Sequence, residues 1–211
     1  MNAAVFTQSY QEPPFCEREI LRYAGCRKQE PHTEALLADC LQEVSGIFSY
    51  RICFCELPVS VNGSLCDFAL FSLRSEALAK NLSGSDKAIV FAATVGVGID
   101  RLIAKYSRLS PARALMLQAI GAERIEALCD AFCGEMNARY PSGLKPRFSP
   151  GYGDLPLSAQ TDLFSLLDPP KRIGLSLNGS LLMSPSKSVT AVMGISNPRS
   201  SLSNPGSAGA C

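Results

Sequence analysis

One histidine, His32, serves the whole chain of 211 residues, and no Cys-x-x-Cys pair occurs in it. Sites built on two histidines are therefore excluded, and a Ser-His-Asp triad has a single candidate base. Long apolar runs are equally scarce. None reaches the roughly 18 to 20 residues that span a bilayer, and the longest mainly apolar stretch, Ala88 to Val97, has the length of a strand. Runs of like charge stop at pairs such as Arg27-Lys28, and the net charge is +1. Neither nucleic acid nor a membrane is expected as a partner. No basic leader with a long apolar segment opens the sequence, so a cytoplasmic location is the expectation.

Familiar motifs are missing too. Gly96-Val97-Gly98 sits between a strand and a helix, as a dinucleotide fingerprint would, but Arg101 stands where the third glycine belongs. Asn62, Asn81 and Asn178 head N-x-S triplets without a secretory context. No glycine-rich lysine loop is present. The nine cysteines are irregularly spaced; Cys53 and Cys55 fall on one strand face, Cys129 and Cys133 on one helix face. They read as small buried hydrophobes in a reducing compartment, and no metal site is expected.

What the sequence does have is enough apolar material for a core: 46% hydrophobic residues against 18% charged. Three- and four-residue spacing predicts helices over Glu17 to Tyr23, Thr33 to Val44, Gly96 to Tyr106 and Gln160 to Leu167. His32, at the start of the second, reads as a solvated terminal residue. A long helix is predicted over Ala112 to Tyr140, with a break near Gly121, and a short one over Ser75 to Leu82. Strands are predicted over Tyr50 to Leu57, Leu65 to Leu70, Lys87 to Thr94 and Ser188 to Ile195. Alternating elements with hairpin-like pairing indicate an α+β fold with a mixed, largely antiparallel sheet and long helices.

The most informative stretch is Lys145 to Asp154, KPRFSPGYGD. Pro146 and Pro150 stiffen it, while Gly151 and Gly153 let the backbone come close to another group. Arg147 offers a planar fork of donors for a carboxylate or phosphate, and Tyr152 a flat face with a polar tip. Such a loop suits a small polar ligand carrying a carboxylate and a flat ring; it also reads as a plain structural turn.

Arg147-Phe148-Ser149-Pro150-Gly151-Tyr152 resembles the R-x-x-x-G-Y signature of the activation domain of cobalamin-dependent methionine synthase. Ile173 to Ser180 (IGLSLNGS) is similar to that family's I-G-x-x-L-T-E-S, and Met183-Ser184-Pro185 with Ser188-Val189 to its M-x-P-x-x-S-V. Gly153 to Leu157 resembles free-standing members of the family. Asn178-Gly179 departs from it, standing where Thr-Glu is usual.

The resemblance implies a S-adenosylmethionine site formed by Glu126 on the long helix with Arg147, Ser149, Pro150, Gly151 and Tyr152. Glu123, about a turn away, is the alternative glutamate. Arg147 would take the methionyl carboxylate. No catalytic side chain is implied, nor independent turnover. The role implied is reductive methylation of cob(II)alamin held by a separate methionine synthase core or another corrinoid protein, with a flavodoxin-type electron donor. Service to a different corrinoid methyltransferase is the alternative, as is an interaction protein that has lost its ligand. Residues 1–15 are expected to be a flexible arm, 16–64 an extension packed on the main domain, 65–197 the activation-domain-like region, and 198–211 a disordered tail.

Overall fold

The computed structural model describes residues 3–26 and 30–197. Its centre is a four-stranded sheet, β1 (Phe6–Ser9), β2 (Arg51–Pro58), β6 (Ser85–Thr94) and β9 (Ser188–Ser196), in the order β1-β2-β6-β9 and antiparallel at every pairing. Phe54 faces Phe91 across β2 and β6, and Val90 faces Val192 across β6 and β9.

Strand alternation divides the buried residues between two cores. Ile52, Phe54, Ile89, Phe91, Ala93, Ala191 and Met193 point to one face. There they meet α1 (Glu17–Tyr23), α2 (Pro31–Glu43), α4 (Gly98–Leu109) and α5 (Pro111–Arg139). Phe132 of α5 lies 5.2 Å from the Phe54 ring and 4.9 Å from that of Phe91; truncating a phenylalanine so placed costs about 3–5 kcal/mol. Cys53, Cys55, Leu57, Ala88, Val90, Ala92 and Val192 point the other way. That face is covered by α3 (Glu76–Asn81), α6 (Gln160–Leu167) and α7 (Pro169–Ile173). Two small antiparallel sheets complete the chain: β3 (Ser60–Asn62), β4 (Leu65–Asp67) and β5 (Ser72–Arg74) in one, β7 (Ser176–Leu177) and β8 (Met183–Ser184) in the other. The sheet, buried on both sides, explains why β6 reads as an almost unbroken apolar run.

Several local expectations give way. Residues 6–9 are a strand rather than part of a loose arm, because β2 would otherwise present an open edge. The arm is tied down further on by Arg124, whose side chain is fully buried. Arg124 donates to the Pro13 carbonyl at 2.5 Å and the Pro14 carbonyl at 2.8 Å, pairs with Glu123 at 2.5 Å, and lies 3.9 Å from the Phe15 ring centroid.

Helix α5 passes Gly121 unbroken. A mid-helix glycine costs only about 1 kcal/mol relative to alanine, less than the packing on either side supplies. Strand β4 stops at Asp67, whose carboxylate accepts from the Ala69 amide and the Ser72 hydroxyl. Asp168 does end α6, in a left-handed conformation, yet Pro169 then opens α7, since proline fits the first turn of a helix. His32 is exposed in the first turn of α2. The expected disordered tail, 198–211, lies outside the described residues. Among those residues no helix is long and apolar enough to cross a membrane, and no group of three or more potential metal ligands comes together.

Candidate functional site

Residues 144–148 run beside β9. Lys145 donates its amide to the Gly194 carbonyl at 2.8 Å, and Phe148 exchanges two 2.9 Å hydrogen bonds with Val192. Because neighbouring side chains in extended chain alternate, Phe148 enters the second core and Arg147 turns to the α5 side. There its Nη2 meets Glu126 Oε2 at 3.1 Å and Asp130 Oδ1 at 2.9 Å. Glu126 and Asp130, four residues apart, share one face of α5.

Burial works against the Arg147 charge, but Cys129, Cys133, Glu126 and Asp130 around it hold its pKa above the usual value. The Cys129 thiol beneath is pushed up to about 12 by burial and stays neutral.

After Pro150 the chain makes a tight double turn. Gly151 donates to Leu155 at 2.9 Å, Tyr152 to Ser149 at 3.1 Å, and Leu155 to Tyr152 at 3.1 Å. Gly151 and Gly153 have φ of 86° and 58°, a region where a side chain is strained. At Gly153 a Cβ would also stand 3.1 Å from that of Ala77. Asp154 closes the loop by capping α3: it accepts from the Ser75 hydroxyl, from the Glu76 amide at 2.6 Å and from the Ala77 amide at 3.1 Å. Held at both ends, the loop presents Tyr152, 71% exposed, edge-on to the Phe148 ring at 5.8 Å. Pro150 is buried, and Ser149 half-buried.

Thus Arg147 and Glu126, expected to share a site, are in direct contact. Glu123 is elsewhere: it is buried, paired with Arg124, and accepts from the Cys16 amide at 3.2 Å. Asp130 went unnoticed in the sequence, although its four-residue spacing from Glu126 was a usable signal. Lys187 also went unnoticed. It lines, with Tyr23, Ala122, Glu126 and Ser186, a cleft of about 150 Å³ beside α5. Three larger hollows among the described residues are lined by other residues than the loop and the α5 carboxylates.

An antiparallel sheet covered on both faces, with a stiff aromatic loop laid against the charged face of its long helix α5, defines an α+β protein. Among solved structures, the MetH reactivation domain bound to AdoHcy shares that fold, with a TM-score of 0.69 and 15% sequence identity over 92% of this chain and 79% of that one. No family model matches the sequence, and no curated protein matches it.

Proposed function

We propose that this chain binds S-adenosylmethionine, or the thioether left after methyl transfer, along α5 and the 147–152 loop. In the cytoplasm it serves a cobalamin-carrying methionine synthase core. The observation that supports this most is the meeting of the R-x-x-x-G-Y loop with the α5 glutamate, in a fold whose MetH counterpart was solved with AdoHcy. S-adenosylmethionine would supply the methyl group, and a corrinoid held by the partner would provide the acceptor, reduced by one electron from a flavodoxin-type donor.

The chain's own part is to bind and orient. Glu126, 45% exposed at its side chain, faces a positive group of the ligand. Arg147 fixes Glu126 in place, a different task from the carboxylate fork expected of it, because both its ion pairs are to carboxylates of α5. The Gly151 backbone allows close approach, Ser149 and Pro150 hold the turn, and the Tyr152 ring offers its face to the adenine. No side chain need act as acid, base or nucleophile.

One observation favours the alternative of a chain that has lost its ligand: the cleft beside Glu126 is below the roughly 300–1,000 Å³ of ordinary ligand pockets. Calorimetric titration with S-adenosylmethionine separates the two readings. Saturable heat in the wild type, weakened roughly tenfold or more in Glu126→Gln, is expected. Absence of heat in the wild type at millimolar ligand favours the alternative. A pull-down that retains a different corrinoid methyltransferase would redirect the partner assignment.

A further inference from the structure

Resting on that reading, we infer that the cleft between Lys187 and Glu126 is the subsite for the α-amino-acid end of the ligand, its carboxylate on Lys187 and its ammonium on Glu126. Three features carry this.

The Lys187 carbonyl accepts from the Val95 amide at 3.2 Å, but its half-buried side-chain ammonium has no hydrogen bond or ion pair among the described residues. The negative charge that acts on it is Asp100, and both oxygens of Asp100 are taken by Ser186, through its amide at 2.8 Å and its hydroxyl at 2.5 Å. A half-buried ammonium without a partner is costly, and burial already holds its pKa below the usual lysine value. An incoming carboxylate relieves that cost.

The second feature is Gly121. A Cβ there would stand 3.0 Å from both Cγ and Cε of Lys187 and 3.2 Å from Ile99. The glycine inside α5 makes room for the lysine stem to lie across the helix and deliver its ammonium to the cleft. The third is size and polarity. At about 30 Å³ per water, a space of about 150 Å³ holds a few waters, or the ammonium, α-carbon and carboxylate of one amino acid. It has a cation on one wall and a carboxylate on the other. Arg147, already matched by Glu126 and Asp130, leaves Lys187 as the unmatched cation for an anionic group.

The test uses the full chain with three probes: S-adenosylhomocysteine, 5′-methylthioadenosine, which lacks the amino-acid end, and L-methionine. Lys187→Met keeps an unbranched stem over Gly121, and Lys187→Gln serves if that variant folds poorly. Expected is a loss of roughly tenfold or more for S-adenosylhomocysteine, unchanged binding of 5′-methylthioadenosine, and recovery in Lys187→Arg. Unchanged affinity for S-adenosylhomocysteine in the Lys187 variants overturns the subsite while the adenosyl reading stands. L-methionine bound by the wild type as tightly as the nucleoside, and lost in Lys187→Met, keeps the subsite and overturns the adenosyl reading. Wild type that binds none of the three overturns both.

Discussion

Among the described residues Arg124 is the largest side chain wholly removed from solvent, and its surroundings decide which glutamate of α5 is available for other work. Its guanidinium takes up Glu123 and two arm carbonyls, so Glu126, three residues on, is left to face the loop. Arg124→Met strands the Glu123 carboxylate in a low-dielectric site, with the Cys16 amide as its remaining donor. A loss of about 3–5 kcal/mol is expected, read as a lower urea midpoint. Adding Glu123→Gln should recover part of it, through the coupling of the two sites. Sequence could bring Arg147 and Glu126 to one site through a motif, but it preferred Glu126 to Glu123, about one helical turn away, only by its fit to that motif. What separates them is a contact with residues more than 100 positions away, and no local pattern encodes that.

At the scale of elements, the loop and α3 stabilise each other through Asp154. The Ser75 hydroxyl first, then the Glu76 and Ala77 amides, hold its carboxyl below the usual carboxylate range. A carboxylate depressed by folding contributes fully above its unfolded pKa, and the contribution is lost as pH falls through the folded value. Thermal melts should therefore show wild type more stable than Asp154→Asn at neutral pH. The gap should close as the pH drops below the ordinary aspartate value of 3.8. A gap that persists unchanged at about pH 2 would remove this role from Asp154.

Long periodic elements were legible: α1 and α6 have the predicted bounds, and β2, β6 and β9 differ by a residue or two. Strands β5, β7 and β8 have only two or three residues each, too few for any periodicity to show. The β7–β8 turn has its own logic. The Asn178 side chain accepts from the Ser180 and Leu182 amides at 2.9 Å each, so the departure at Asn178-Gly179 builds a self-closing turn there.

For the molecule as a whole, the sheet belongs to two cores at once. Segment 16–64 supplies β2, the neighbour of β6, so we propose that 16–64 and 65–197 unfold as one unit. The thiols report on it. Cys40 and Cys129 lie in one core, Cys53, Cys55 and Cys66 in the other. Burial pushes Cys53 and Cys55 up to about 12, leaving them unreactive while folded. Pulsed alkylation across a urea gradient should expose both sets at the same midpoint; two separate midpoints would mean two units. The α+β class could be read from the order of elements. The two-sided burial of one sheet was foreshadowed by the apolar run in β6.

Arg124 also imposes a schedule on the chain's birth. Pro13 and Pro14 leave the ribosome first, yet their partner follows 111 and 110 residues later. At about 5–20 residues per second, the amino-terminal segment waits roughly 5–20 s for α5 to emerge. Its docking is thus a late event of assembly, carrying the loop-closure cost of a contact that spans half the polypeptide.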